Sequence, residues 1–195
     1  MSAIMNIPTP SQEIVNGFVQ KFNQHENYAD GDKALSCLLK QYPMNTTLDH
    51  VLLKVAVINQ FYSTHVLDPY SVARHIISLD IDQRLAAGDH TLITALTPTD
   101  LGEKKPKKRR MYSFATKYCH NHAPERFPIC DSYVEKMLLH FRGTNGFDDF
   151  KAAELKNYPR FVELLDRFKT CFNLEWFTPK QLDIYLWMGG KEYFP

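Results

Sequence analysis

Apolar residues recur every three to four positions through most of the chain, the spacing of one face of an α-helix. In the first such segment, apolar side chains between 14 and 22 share a face, and Ser11 precedes them as a candidate N-cap. The segment 47–61 is apolar almost all round, which is typical of a central buried helix. Further helices are predicted at about 32–40, from Asp68-Pro69 onward, at 82–95 with a break at Gly88, and at 111–122, 131–141, 148–156, 159–171 and 178–188.

The last of these helices carries strong boundary signals. Thr178 to Gln181 combines a capping-box pattern with a proline at the first helical position, and Gly189-Gly190 is predicted to end the helix. Runs of alternating β-branched residues bounded by turn dipeptides are missing from the sequence, which argues against strands. The pattern predicts an all-α fold in which residues 1–195 form one globular unit, or two packed helical lobes.

Composition is that of an ordinary folded protein. Of the 195 residues, 44% are hydrophobic and 23% charged, which excludes a mainly disordered chain. No apolar stretch approaches the roughly 20 residues that a membrane-spanning helix needs. The first residues lack the basic and apolar regions of a secretory signal. The four scattered cysteines are therefore predicted to be reduced thiols in a cytoplasmic protein, associated with the nucleoid in a bacterium or nuclear in a eukaryote.

The net charge of +1 hides a strongly basic segment. Lys104 to Arg110 places six cations in seven residues, so the rest of the chain is net acidic. Such a run is solvent-facing unless an anion neutralises it, and DNA phosphates are the obvious anion. It directly precedes the predicted helix 111–122, whose N-terminus also favours a phosphate. A solvated loop or a nuclear localisation signal is the alternative.

An aspartate follows an extended apolar stretch in the second half of the chain. Phe127-Pro128-Ile129-Cys130 delivers Asp131 to the start of the predicted helix 131–141. Asp131 is either an ordinary N-cap or a carboxylate held between apolar segments, where it stabilises a developing cation or activates water.

Cysteine and histidine cluster in Cys119-His120-Asn121-His122, with Cys130 nearby. Both residue types bind zinc, but the spacing matches neither a C-x-x-C pair nor the zinc deaminase signature. On a helix Cys119 and His122 share a face while His120 points elsewhere. We therefore predict no metal site, and interpret the cluster as a partly buried helix end.

The stretch YSFATKYCHNHAPERFPICDSYVEKML, from Tyr112 to Leu138, resembles the end of the helix-hairpin-helix motif of DNA glycosylases, the superfamily of adenine glycosylases and endonuclease III-like enzymes. RFPICDSYVEKML matches the family segment "fPiLDgnV.R.L", whose aspartate is catalytic, and this places Asp131 at the catalytic position. Bifunctional members carry a lysine nucleophile at the variable position of the hairpin. Tyr112 stands there, which implies a monofunctional enzyme without lyase activity.

A second stretch, LLKVAVINQFYSTHV, resembles the family's early helix and the loop after it, whose polar residue fills the gap left by a flipped base. The resemblance implies DNA contacts for Asn59 and Gln60, with Tyr62 as a candidate wedge. Tyr112 and Tyr118 are candidates for the base pocket, and ordinary helix packing is the alternative for each.

The sequence also departs from the family. The usual hairpin reads L-P-G-V-G, whereas this chain has Asp100-Leu101-Gly102-Glu103 followed by the basic run. We expect direct charge contacts to replace the backbone grip on phosphate. The residues expected to make them are Lys105, Lys107, Lys108, Arg109 and Arg110. The cysteine quartet that holds an iron–sulfur cluster in some relatives is missing, so no cofactor is expected.

The resemblance implies a monomeric, monofunctional glycosylase that binds double-stranded DNA, flips out a damaged or modified base and hydrolyses its N-glycosidic bond. The early-helix glutamate of adenine glycosylases is replaced by Lys54 or a neighbour, so the base is unspecified. A modified base in viral DNA is one hypothesis. The competing classes are a non-catalytic helical DNA-binding module that uses the basic run, and a protein-interaction domain in which that run is only a targeting or docking segment.

Overall fold

The computed structural model describes residues 7–97 and 108–194, apart from the side chains of residues 108–110 and 144–145. Within these ranges the chain is helical and contains no strand, which confirms the all-α prediction. The helices are α1 Gln12–Gln24, α2 Glu26–Gln41, α3 Leu48–Phe61, α4 Pro69–Ser78, α5 Ile81–Ala87, α6 Thr91–Ala95, α7 Lys108–His122, α8 Ser132–Asn145, α9 Tyr158–Cys171 and α10 Pro179–Tyr193, with a 3₁₀ helix at Ala152–Lys156.

The chain divides into two compact units. The first combines Met1–His25 with Asp131–Pro195, and the second is the continuous segment Glu26–Cys130. One crossing from unit to unit therefore falls between Cys130 and Asp131. In the parts of the chain described here, none of the helices has the length and apolar character needed to cross a membrane.

In the first unit, α10 packs against both α8 and α1. Its core is rich in aromatic rings, among them Phe141, Phe168 and Phe172, whose centroids lie 4.8 to 5.7 Å apart. Rings at these separations contribute packing energy beyond the area they bury. The start of α10 is the predicted capping box, in which Thr178 and Gln181 exchange bonds.

The prediction that Gly189-Gly190 ends the last helix is wrong. The α10 helix continues through both glycines to Tyr193. A Cβ at Gly190 would lie 2.6 Å from the Cβ of Tyr133 and 2.8 Å from the Tyr133 carbonyl oxygen, inside van der Waals contact. The glycines therefore allow α10 to approach α8 closely, and this packing outweighs the low helix propensity of glycine.

The predicted helix 148–156 is also wrong in extent, because only a 3₁₀ helix forms at its C-terminal end. Gly146 ends α8 in the left-handed conformation. The residues that follow Gly146 then bond to side chains of α8 and α9 instead of forming helical hydrogen bonds. Asp148 pairs with Arg160 and Arg167, and the Phe150 carbonyl accepts from Arg142.

In the second unit, α3 packs against α2, α4 and α7. Asp68 caps α4 through Ser71, and Gly88 ends α5 in the left-handed conformation, as the sequence predicts. The prediction that α3 is buried all round holds for one face only, because Leu53 is 44% exposed and Phe61 is 50% exposed. The helix therefore presents an apolar outer face.

We predict that Gly190→Ala lowers the free energy of unfolding by about 1–3 kcal/mol, because the added methyl group meets the backbone of Tyr133 and overpacks the α8–α10 contact. Gly17→Ala in α1 is the matched control, since nothing lies within 4 Å of the added Cβ. The control should stabilise the protein by up to about 1 kcal/mol. Urea denaturation of both variants measures the two changes. Equal effects would contradict the close-approach explanation.

Candidate functional site

Asp131 is the N-cap of α8. Its backbone is extended, with φ −132° and ψ −176°, and its Oδ1 accepts from the amides of Tyr133 at 3.0 Å and Val134 at 3.2 Å. The residue is only 7% exposed. The helix N-terminus favours the negative charge of the carboxylate. The capping role is thus confirmed, and the cap also fixes the carboxylate in one orientation.

The segment before Asp131 is extended and buried. Phe127, Ile129 and Cys130 are each at most 3% exposed. The Phe127 amide donates to the Ala123 carbonyl at the end of α7, and His90 contacts the Arg126 carbonyl at 3.0 Å. A buried extended segment needs such partners, because unpaired backbone groups are costly away from water.

Two side chains of α7 supply further partners of this segment, and sequence reasoning missed both roles. Thr116 Oγ1 accepts from the Cys130 amide at 3.2 Å and lies 3.3 Å from the Cys130 carbonyl oxygen. His120, weighed above only as a metal ligand, has its Nδ1 2.9 Å from the Phe127 carbonyl oxygen. The four-residue spacing of Thr116 and His120, which puts both on one face of α7, was the available signal.

Asn59, one of the predicted DNA contacts, is engaged inside the loop that follows α3. Its Nδ2 donates to the Val66 carbonyl at 3.1 Å, and its Oδ1 accepts from Thr64 Oγ1 and the Val66 amide, both at 2.8 Å. Within this loop Ser63 and His65 hold the left-handed backbone conformation, with φ of 48° and 58°. The structure therefore makes Asn59 a residue that positions the loop.

The other two predicted loop contacts differ from each other. Gln60 is exposed. Tyr62 is half-buried and docks on α7, where its hydroxyl accepts from Asn121 Nδ2 at 3.1 Å and Lys117 Nζ lies 5.4 Å from its ring centre. Large apolar side chains nearby in the sequence are more open to solvent: Phe61, Leu67 and Tyr70 are 50%, 60% and 49% exposed.

Both tyrosines predicted for the base pocket lie in the core. Tyr112 is 7% exposed and Tyr118 has no exposed surface. The Tyr118 hydroxyl donates to Asn45 Oδ1 at 2.6 Å, and burial raises the pKa of Tyr118 well above its usual value. A base cannot stack on Tyr118 in this conformation, because the ring is fully covered.

Tyr118 belongs to a buried polar cluster centred on Lys54, which is 0% exposed. Lys54 Nζ donates to Asn45 Oδ1 at 2.6 Å and to the carbonyl oxygens of Met44 at 2.9 Å and Tyr42 at 3.1 Å. Burial lowers the pKa of Lys54 to about 8, opposed by the charge of Asp82. The amine is still mostly protonated at pH 7, and its three protons match its three acceptors.

This cluster gives Lys54, in α3, a structural role. Asn45 connects it to α5, because its Nδ2 donates to Asp82 Oδ1 at 2.6 Å and its backbone amide donates to Asp82 Oδ2 at 2.9 Å. Burial, with a contribution from Lys54, lowers the pKa of His122 to about 3, so the imidazole stays neutral. Lys54 therefore ties the turn before α3 to α5 and α7.

The basic run is only partly covered by the structure. Lys105 and Lys107 lie outside the described residues, as do the side chains of Lys108, Arg109 and Arg110. The backbone of these last three residues forms the first turn of α7, which begins earlier than the predicted 111.

The cysteine and histidine cluster is dispersed in the structure. Cys119 is fully buried and its pKa is raised by that burial, which keeps the thiol protonated. His120 binds backbone, as described above. Across residues 7–97 and 108–194, no three side chains of the metal-ligating types come together.

Comparison with known proteins gives one family and one relative. Residues 14–126 match the family HI_0787_N, described as an N-terminal domain. The chain is 37% identical to a Haemophilus influenzae protein that bears the name "Uncharacterized protein", in an alignment spanning 100% of this chain and 98% of the relative. No solved structure matches the chain.

We predict that Lys54→Met lowers the free energy of unfolding by about 1–3 kcal/mol, because Asn45 Oδ1 and the carbonyl oxygens of Met44 and Tyr42 lose the Lys54 donor while the apolar length of the side chain is kept. Lys33→Met is the control, since the Lys33 side chain is 77% exposed in an ion pair with Asp30. The control should change stability by less than about 0.5 kcal/mol. Thermal and urea unfolding measure both, and a small effect at Lys54 would contradict the anchoring role.

Proposed function

We propose that this chain, which belongs to the HI_0787_N family, is a monofunctional DNA N-glycosylase whose catalytic carboxylate is Asp131. The observation that carries the proposal is the placement of Asp131. It is an almost buried carboxylate at the start of α8, oriented by two helix amides, at the end of an extended RFPIC segment that matches the glycosylase pattern.

The chemistry requires a negative charge near the sugar. Hydrolysis breaks the bond between the sugar C1′ and the base nitrogen, and the electron pair leaves with the base. The sugar then carries oxocarbenium-like positive charge. The Asp131 carboxylate stabilises that charge and orients the water that attacks C1′. Asp131 is only 7% exposed, and a low-dielectric setting strengthens the attraction.

Base flipping also needs a group that fills the gap in the duplex. Unstacking costs a few kcal/mol, and an inserted side chain offsets part of that cost. Gln60 is exposed, and Leu67 at 60% exposure is a further candidate beside it. Tyr62 would first have to leave Asn121 and Lys117, which makes it the weaker wedge candidate. Asn59 supports this surface by holding the loop.

We predict that Asp131→Asn abolishes base release while DNA binding and stability are kept. Asparagine is as good an N-cap as aspartate, so it retains the cap but removes the charge. Asp131→Ala should lose release and, in addition, about 1 kcal/mol of stability through the lost cap. The assay is incubation with duplexes carrying damaged or modified bases, followed by alkali to cleave abasic sites.

The same assay separates the competing functions. Full release by Asp131→Asn would overturn the catalytic role of Asp131. A wild-type protein that binds every duplex in a salt-dependent way but releases no base would be a non-catalytic DNA-binding module, which the basic run alone also supports. A protein with no salt-dependent DNA affinity would belong to the protein-interaction class.

We predict that replacing one of Lys107, Lys108, Arg109 or Arg110 by glutamine weakens DNA binding equally for all sequences. Each lost phosphate contact should reduce the slope of log affinity against log salt by about 1, because fewer counterions are released. Lys33→Gln, at an exposed position in α2, serves as the charge-matched control. Fluorescence anisotropy at several salt concentrations gives the slopes. Slopes equal to wild type in all four variants would reject the phosphate contacts.

A further inference from the structure

We infer that Thr116 and His120 are positioning residues. They hold residues 126–130 against α7 by hydrogen bonds, and so fix the peptide group that joins Cys130 to Asp131. The catalytic part of this inference rests on the proposed glycosylase function. The structural part depends only on contacts within the unit Glu26–Cys130.

The hydrogen bonds between the C-terminal part of α7 and residues 127–130 follow one another along the helix, and we call this set of bonds the ladder. Going back along α7, the Ala123 carbonyl accepts from the Phe127 amide at 3.1 Å, His120 Nδ1 meets the Phe127 carbonyl at 2.9 Å, and Thr116 Oγ1 meets the Cys130 peptide groups. His120 and Thr116 are spaced by four residues, so they share one face of the helix, and Ala123 follows directly after its end. The extended segment therefore runs back along that face.

Thr116 serves the Cys130 end of the ladder through one oxygen. Thr116 Oγ1 accepts the Cys130 N–H, and its single proton lies within reach of the carbonyls of Ser113 at 3.0 Å and Cys130 at 3.3 Å. A chain of bonds in which each group both donates and accepts is mutually strengthening. Thr116 is 0% exposed, so water cannot take over this role without a change of packing.

His120 serves the other end. The Phe127 carbonyl only accepts, so the contact fixes the proton of His120 on Nδ1. His120 is 4% exposed and Phe127 0% exposed. The Phe127 ring also stands edge-on to His90, with centroids 5.6 Å apart. Side chain and backbone of Phe127 are thus both held.

The consequence reaches Asp131 through covalent geometry. The Cys130 carbonyl carbon is bonded to the Asp131 nitrogen, so the planar peptide group that follows Cys130 places the Cα of Asp131. Displacement of a reacting group by about 1 Å can cost a factor of about 100 in rate. Loss of the ladder should therefore lower catalysis without removing the carboxylate.

The test compares variants that remove each hydrogen bond with variants that keep it. Thr116→Val keeps the shape and removes the hydroxyl, whereas Thr116→Ser keeps the hydroxyl. His120→Phe removes the donor, whereas His120→Asn places an amide nitrogen close to the position of Nδ1. Thr97→Val is the matched control, because Thr97 is also a buried threonine of the same unit, and its Oγ1 donates to the Ile93 carbonyl at 2.6 Å.

Two readouts are measured on the full chain: amide hydrogen exchange at Phe127 and Cys130, and kcat with KM for base release from whichever modified duplex the wild type acts on. We expect Thr116→Val and His120→Phe to speed exchange at least tenfold and lower kcat at least tenfold, with KM within twofold of wild type. Thr116→Ser and His120→Asn should restore both to within about threefold. Thr97→Val should change neither.

The outcomes separate this inference from the proposed function. Unchanged exchange in Thr116→Val and His120→Phe overturns the ladder, whatever the activity. Faster exchange with unchanged kcat overturns the positioning role. If the wild type releases no base, the glycosylase proposal fails by itself, and the exchange data still decide whether the ladder exists.

Discussion

The hydrogen bonding of residues 126–130 is the constraint on which the candidate site depends. An extended segment that is buried without a neighbouring strand has peptide groups that must find partners elsewhere. Here α7 provides several of them, through the Ala123 carbonyl just after its C-terminal end and through two side chains one helical turn apart, and His90 contacts the Arg126 carbonyl. The placement of Asp131 at the cap of α8 then follows from a segment whose geometry is already fixed.

The buried cluster around Lys54 supports the helix that carries this ladder. Asn45 sits between a cation and an anion, accepting from Lys54 and Tyr118 and donating to Asp82. Removing Asn45 would take one partner from each of Lys54, Tyr118 and Asp82, so the cluster acts as a unit. It holds α7 through Tyr118, on the helix that also presents Thr116.

The sequence predicted those features of the fold, such as helix caps, that depend only on residues close together in the chain. The caps at Ser11, Asp68 and Thr178 form as expected, because each depends on a side chain and an amide three residues apart. The glycine pair in α10 was misjudged for the opposite reason. A glycine stop signal and a glycine that admits a neighbouring helix are identical in sequence, and only the contact with Tyr133 distinguishes them.

The same contrast between contacts close together and contacts far apart in the sequence holds at the candidate site. The cap at Asp131 was predictable from its place before an amphipathic helix, and its catalytic role remains a prediction. The burial of Lys54 and Tyr118 was not predictable. Lys54 bonds to the turn before α3, and Tyr118, on α7, bonds to Asn45 in that same turn, which is far from it in the sequence. The docking of Tyr62 on Asn121 joins residues that are separated in the sequence by α4, α5 and α6, so helical periodicity contains no information about it.

The division of the chain into a continuous unit and a discontinuous one has a consequence for synthesis on the ribosome. Glu26–Cys130 can complete its contacts as soon as it has emerged, whereas α1 must wait for α10, which is made later, before Phe18 meets Tyr185. Such distant pairing is slow, because the intervening loop must close first. Early folding of the continuous unit shortens that loop, so the order of translation assists the slower unit to close.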